Sequence, residues 1–465
     1  MDTYLICIIL YMVSCIFFVL GIKKLGKADT ARKGNLYSSA GMLIAVISVL
    51  ISQDVISGGF IAYLVIFLAL AAGSAVGFIW ARKVEMTGMP ELVALFNGFG
   101  GLSSLLVALS QNIAGVAEDS FTAVTLGLTI AIGAIAFTGS VVAWGKLSGK
   151  MFKKAKPIPF KNALNGALCV IGLVGIIMYA AAFDGGAGIA GIIITTAVFL
   201  ILGFTLVINI GGGDMPVIIS FLNALSGLAA AFAGFPIGNT VLIVSGCLVG
   251  TSGLILTLIM CKAMNRSFFS LLFKSFGAKK SSSAASGEQK EPRAMSVEDA
   301  YLVLEAATNV VIVPGYGMAV AQAQHAVKEL CDKMEDNGTE VNFAIHPVAG
   351  RMPGHMNVLL AEANVPYEML KTSDDINPQM DNVDVAIVIG ANDVVNPSAV
   401  NDESSPLYGM PIVEAFRART VFVLKRGKGT GFSGIENPLF TNDNTAMIYG
   451  DAKQTVSALV SEFDG

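Results

Sequence analysis

Val310-Val-Ile-Val-Pro-Gly-Tyr-Gly-Met-Ala-Val-Ala-Gln-Ala-Gln324 is the stretch that decides the fold. An apolar, β-branched run stops at Pro314, Gly315 and Gly317 flank Tyr316, and an Ala-rich helical pattern follows. Strand, tight glycine turn and helix make the opening of a βαβ unit, which offers helix N-terminal N–H groups to a phosphate. Alone this Gly-x-Gly-x-x-Val signal is weak, because it lacks the third small residue of the usual fingerprint.

The residues downstream strengthen it. Strands are expected at Val310–Val313, Val341–Ile345, Tyr367–Leu370, Val383–Ile389, Thr420–Leu424 and Ala446–Tyr449. Helices are expected at Val297–Ala307, Ala319–Asn337, Asn357–Ala363, Ile412–Ala418 and Lys453–Phe463. Such alternation predicts a soluble, doubly wound (Rossmann-like) α/β domain over residues 296–465, with ligands at the carboxyl ends of its strands. Gly-rich segments follow four of those strands: Gly315-Tyr316-Gly317, His346 to Asn357, Gly390 to Pro397 and Lys425 to Phe432. Four such loops favour a dinucleotide site over a generic α/β domain.

Charge separates the two common dinucleotides. A site for NAD usually places an acid at the end of the second strand, to accept from the ribose hydroxyls. Here that strand ends in His346, whereas Lys425, Arg426 and Lys428 lie together among glycines. Cations in a loop that can fold around a phosphate predict NADP(H). Asp393 is the one titratable group of its strand-end loop, and both an Asx cap and a functional carboxylate fit it. His346 and His355 read as structural residues and His325 as a surface one.

Upstream the chain changes character. It is 54% hydrophobic and 14% charged, against about 25% charged in soluble domains. A net charge of −4 gives no reason to expect nucleic acid. The six cysteines (Cys7, Cys15, Cys169, Cys247, Cys261 and Cys331) have no metal-ligand spacing and read as reduced thiols. Nine stretches approach the roughly 20 apolar residues of a span: Thr3–Ile22, Leu36–Ser52, Phe60–Ala81, Met89–Ser110, Phe121–Trp144, Asn162–Phe183, Ile189–Ile210, Met215–Phe235 and Thr240–Cys261. The first reads as a retained span rather than a signal peptide, for no basic segment precedes it. Lys and Arg gather after the first, third, fifth and ninth spans, and the alternate loops carry none. That pattern puts the N-terminus outside and the C-terminal domain in the cytoplasm. A membrane domain of residues 1–276, a small, polar linker of residues 277–295 and the soluble domain complete the plan.

Two spans carry a near-repeat. Met89-Pro90-Glu91 leads to Asn97 and Gly101-Leu-Ser-Ser, and Met215-Pro216 leads at the same spacing to Asn223 and Gly227-Leu-Ala-Ala. Small residues suit close helix packing, and the two amides need partners inside the bilayer. Glu91 and Asp214 lie near the cytoplasmic ends, and no Asp, Glu, His, Lys or Arg is expected deep within a span. Proton movement then needs a titratable group from another chain or a water file along the asparagines.

These motifs together resemble one family, the β subunit of proton-translocating NAD(P) transhydrogenase. Pro314–Gln324, His346–Asn357, Gly390–Pro397, Gly409–Pro411, Lys425–Arg426, Met89–Ala94 and Gly211–Pro216 carry the resemblance, which spans most of the chain. It implies that the soluble domain binds NADP(H), that an α subunit binds NAD(H), and that hydride passes directly between them while protons cross an inner (plasma) membrane. A dimer of αβ units is the implied assembly. Nucleotide contacts are implied for Gly315, Tyr316 and Gly317, for Val348, Ala349, Gly350, Arg351, Met352 and Pro353, and for Gly390, Ala391, Asn392, Asp393 and Val394. They are also implied for Gly409, Met410 and the loop of Lys425, Arg426, Gly427, Lys428, Gly429, Thr430, Gly431 and Phe432, with Asp451 and Ala452 closing the site. By the same resemblance Lys425 and Arg426 take the 2′-phosphate, Arg351 the pyrophosphate, and Asp393 links occupancy to proton state. A proton path would run by Asn97, Asn223, Glu91 and Asp214. Asn97 stands where some relatives carry a titratable histidine, which moves the proton-carrying residue to the partner chain. Gly427 and Phe432 replace the Ser and Tyr of relatives. Hydride transfer needs no acid or base, so no residue of conventional catalytic type is expected. The rival reading is a channel or transporter with a nucleotide-sensing domain, and such sensors favour the acid that is missing after the second strand.

Overall fold

The computed structural model describes residues 3–117, 119–149, 151, 158, 160–183, 185–273, 291–352, 354–405, 407–427, 429, 431 and 433–464. Two compact units emerge, one formed by residues 1–211, 217–257 and 272–276, the other by residues 212–216, 258–271 and 277–465.

Among the described residues nine helices are long and apolar enough to cross a membrane: Thr3–Leu25, Asp29–Ile51, Gly59–Lys83, Met89–Ile113, Ser120–Leu147, Lys161–Ala181, Gly186–Ile208, Met215–Gly234 and Thr240–Ala263. The second begins well before Leu36, because Gly34 and Gly41 let it pack along the first span. A Cβ on Gly34 would lie 2.8 Å from the Gly21 carbonyl oxygen. Arg32 and Lys33 therefore sit on this helix and not in a loop. Both members of the near-repeat mark close helix approaches. A Cβ at Gly101 of the fourth span would meet the Gly133 oxygen of the fifth at 2.8 Å, and one at Gly227 of the eighth would meet the Gly250 nitrogen of the ninth at 2.5 Å.

Two of the cations counted after the fifth span lie on helices, Lys146 at the end of Ser120–Leu147 and Lys161 at the start of Lys161–Ala181. Lys146 and Lys161 reach the C-terminus of the Gly186–Ile208 helix, whose last carbonyls have no partner within the helix. Lys146 Nζ donates to the Ile208 and Ile210 oxygens at 2.6 and 2.7 Å, and Lys161 Nζ to the Leu206 oxygen at 3.1 Å. Ammonium groups are favourable at that end of a helix dipole.

The soluble fold is a six-stranded parallel sheet of β1 (Asn309–Pro314), β2 (Glu340–Ile345), β3 (Leu370–Thr372), β4 (Val385–Ile389), β5 (Thr420–Lys425) and β6 (Thr445–Tyr449). The strand order is β3-β2-β1-β4-β5-β6, the doubly wound order in which the chain reverses direction between β1 and β4. All five residues of β4 are buried, as expected of a central parallel strand covered on both faces. At the far edge Met295 N–H donates to the Met447 oxygen and Met447 N–H to the Arg293 oxygen, at 3.0 and 2.7 Å, so the incoming chain pairs with β6.

Three expected elements differ. Tyr367–Met369 is a 3-10 turn, and β3 starts only at Leu370, since Pro366 sets the preceding backbone. The single helix expected over 319–337 is two, Tyr316–Val320 and Gln324–Asp336, broken where Gln322 takes a φ of 50°. Residues 412–418 hold only a 3-10 turn at Ala415–Arg417, because the Val413 N–H donates to the Val394 oxygen at 2.9 Å and the Glu414 N–H to Asn377 Oδ1 at 3.0 Å, which ties this backbone to other segments.

Candidate nucleotide site and membrane polar cluster

The crevice between the ends of β1 and β4 has a floor of backbone. Gly315 N–H donates to the Ile389 oxygen and Gly317 N–H to the Gly390 oxygen, both at 2.9 Å. A Cβ on Gly315 would stand 2.4 Å from Ala391 Cα, and one on Gly390 would stand 2.3 Å from Gly317 Cα. Gly390 has a φ of 63°, a conformation open to glycine. The two turns interlock, and any side chain at these positions would separate them. Tyr316 opens the short helix that follows.

One wall is the segment after β2. The Arg351 guanidinium lies over the Tyr316 ring, 4.7 Å from its centre. Gly350 has a φ of 103°, and a Cβ there would meet the His355 ring at 2.5 Å. Ala349 is buried, Val348 packs on the sheet core, and the Met352 oxygen accepts from the His355 N–H at 3.2 Å. Gly409 (φ 79°) and buried Met410 follow on the 399–412 cluster, some way along the chain.

The opposite wall joins the ends of β4 and β5. Asp393 accepts from the Ser433 N–H at 2.9 Å and from the Ser433 hydroxyl at 2.7 Å. A Cβ on Gly431 would lie 2.4 Å from Asp393 Oδ1, so the carboxylate rests on the glycine. Val394 lies in the middle of the short turn Asp393–Val395 and, like Ala391, is buried. Asn437 donates to the Asn392 carbonyl at 3.0 Å. The Lys425 ammonium lies 4.4 Å from the Phe440 ring centre and donates to the Gly429 carbonyl. Burial pushes the Lys425 amine below its ordinary range, and the Asp393 charge partly restores it. Arg426 pairs with Asp451 at 2.7 Å, at the start of the Ala452–Asp464 helix, and Gly427 leaves open space beside it. Pro353, Lys428, Thr430 and Phe432 lie outside the described residues.

Sequence reasoning missed Ser433, Asn437 and Phe440. The Asn-Pro pair at 437–438, which repeats that at 396–397, was the available signal.

In the first unit the Asn97 amide donates to the Ile219 oxygen at 3.3 Å, one helical turn before Asn223. The Ser226 hydroxyl donates to the Asn223 oxygen at 2.9 Å. Ser140 lies against Gly98, its hydroxyl buried with no protein partner among the described residues. A polar strip thus runs between the fourth, fifth and eighth spans. Glu91 stands in the first turn of the fourth span. In the second unit Asp214 precedes the eighth span, and burial raises its carboxyl pKa against the pull of Arg266. Asn265, beside that arginine, donates its amide to the Tyr408 carbonyl, next to Gly409.

The fold and site define a multi-pass membrane protein that carries a Rossmann-like nucleotide-binding domain. The comparisons narrow this class. The family model described as NAD(P) transhydrogenase beta subunit matches residues 7–462. The chain is 46% identical over 460 residues to the NAD(P) transhydrogenase subunit beta of Rhodospirillum rubrum, covering 97% of both chains, and a counterpart from strain ATCC 11170 gives the same values. The chain belongs to the NAD(P) transhydrogenase beta subunit family. It is a subunit of a transhydrogenase, and a beta subunit implies an alpha subunit as partner.

Proposed function

We propose that this chain binds NADP(H) in the crevice between β1 and β4 and takes part in direct hydride transfer with NAD(H) on the alpha subunit, coupled to proton passage across an inner membrane. One observation carries the choice of nucleotide: Lys425 and Arg426 stand at the end of β5 beside the crevice, while β2 ends without an acid in His346. The backbone floor fits a pyrophosphate, since its glycines keep side chains away from the helix N-terminus. Arg351 would hold the pyrophosphate, Lys425 and Arg426 the 2′-phosphate, and Val348, Ala349, Gly350, Met352, Gly409 and Met410 the remaining contacts. Bound NADP(H) would supply the hydride donor or acceptor.

Asp393 and Ser433 bring the segment after β5 onto the site, so release requires that this link open. Asn97, Ser140 and Asn223 would carry water along the polar strip, with Glu91 near the cytoplasmic end of the fourth span, and Asp214 would take part from the start of the eighth. The charge pattern of the loops supports an outside N-terminus and a cytoplasmic nucleotide domain. The working assembly is a dimer of alpha–beta units.

Co-reconstitution of both subunits in liposomes tests the reading. NADH should reduce an NADP analogue and acidify or alkalise the lumen in step. Ion flux without hydride transfer would refute it and favour a nucleotide-sensing channel. Hydride transfer with no pH change would refute the proton coupling alone.

A further inference from the structure

The segment Val348–Met352 is suspended between two imidazoles. At its start His346 Nδ1 accepts from the Val348 N–H at 3.3 Å, while His346 Nε2 lies 2.7 Å from the Pro411 carbonyl oxygen. At its end His355 Nδ1 accepts from the Arg351 N–H at 3.0 Å. These partners assign both rings to the neutral tautomer with the proton on Nε2. Both rings are buried, at 2% and 1% exposure, which leaves water no part in exchanging these roles. The His355 ring also carries Gly350, whose φ of 103° turns the backbone over it.

We propose that His346 and His355 are positioning residues that set Val348–Met352, and with it Arg351, for the nucleotide, and that they do so only as neutral rings. The inference rests on the NADP(H) reading above. An Nδ1 that gained a proton would face the Val348 or Arg351 N–H donor to donor. For His355 the loss is larger. Its Nε2 is buried with no partner among the described residues, so a charged ring would hold two unmet donors. His346 ties in a second segment, because its other bond ends on Pro411, next to Met410.

The charges that act on the pair are known from the structure. Burial holds His346 below the usual histidine range, with the Pro411 carbonyl and Asp374 opposing. Burial also lowers His355, and the Arg351 guanidinium lowers it further. The Tyr316 ring lies beside His355, 6.5 Å between centres. Because both pKa values are lowered, the folded enzyme keeps both rings neutral through about pH 6.5, and the arrangement fails only as pH falls through the lower folded value.

The test is NADPH affinity against pH, read by NADPH fluorescence on the purified enzyme with its alpha subunit, from about pH 7.5 down to about pH 4.5. The parent should hold its affinity to below about pH 6.5 and then lose it, by up to about tenfold per pH unit for each ring that must stay neutral, once pH passes the lowered folded value. In the double variant His346→Asn with His355→Asn, each amide oxygen can replace Nδ1 as acceptor but cannot titrate. Its affinity should be near the parent's at about pH 7.5 and flatter below. His355→Leu, with no acceptor, should bind weakly at every pH. A flat parent profile overturns the inference. So does a slope kept in the double variant, which would belong to another group such as Asp393.

Should a variant fail to fold, the chain's three histidines still make nitrogen-15 spectra of the parent assignable. An imidazolium at either buried ring with NADPH bound overturns the inference. An enzyme that binds no NADPH at any pH instead overturns the NADP(H) reading beneath it.

Discussion

Replacing Ser433 by Ala removes one of two hydrogen bonds that tie the segment after β5 to Asp393. The hydroxyl sits 2.7 Å from Asp393 Oδ1, and the Ser433 N–H at 2.9 Å from Oδ2 remains. A hydrogen bond to a charged group is worth about 1.5–3 kcal/mol, and partial exposure of this pair places it at the lower end. About 1.5 kcal/mol is about a tenfold change in an equilibrium constant. If the tie is made with nucleotide bound and opens for release, Ser433→Ala should weaken NADPH binding about tenfold. Asp393→Ala, which removes both bonds, should weaken it about a hundredfold. Fluorescence titration of the intact enzyme measures both, with thermal unfolding as the control for folding. A Ser433→Ala affinity within about twofold of the parent would refute the reasoning, since the bond would then be no part of the bound state.

Other perturbations reach other parts of the molecule. NADPH affinity should decline in alkali at a lower pH than an ordinary lysine dictates, because burial depresses the Lys425 amine, and the charge lost as pH rises is the one proposed to grip phosphate. Lys425→Arg, charged throughout, should flatten that decline in the same titration. Lys146→Met leaves the Ile208 and Ile210 oxygens without their ammonium, and should lower stability by about 1–3 kcal/mol in detergent unfolding assays. In Gly246→Ala the new Cβ would lie 2.5 Å from the Ala231 nitrogen, so the eighth and ninth spans must part, at about 1–3 kcal/mol in the same assay.

Much of the architecture was legible because simple physics writes it into local sequence. A span must be apolar along its length, and nine such lengths are visible. A buried parallel strand must be apolar on both faces, as Val385–Ile389 is, so the strand alternation could be placed, and the Gly-rich segments expected after its strands do lie at their carboxyl ends. What was hidden depends on contacts between distant residues. Nothing near Ser433 says that its hydroxyl will meet a carboxylate forty positions earlier. Lys146 and Lys161 count in the sequence only as cations after the fifth span, and the arrival of a helix end from the seventh span makes them interior groups. Ile412–Ala418 has a composition compatible with a helix, yet backbone bonds from Val413 to Val394 and from Glu414 to Asn377 override that preference. The second span begins seven residues before Leu36, because close packing on the first offsets the polarity of its first turns.

The glycine floor of the nucleotide crevice bears on how such a site can change over time. Gly315, Gly317 and Gly390 meet backbone against backbone, so no substitution there alters preference without prising β1 from β4. The floor is therefore closed to variation, and on the proposed reading new specificity would be written at the rim, where Arg351, Lys425, Arg426 and Ser433 stand among the described residues. A chain that exchanged one dinucleotide for another would show its history in those few side chains, over a floor that had not moved.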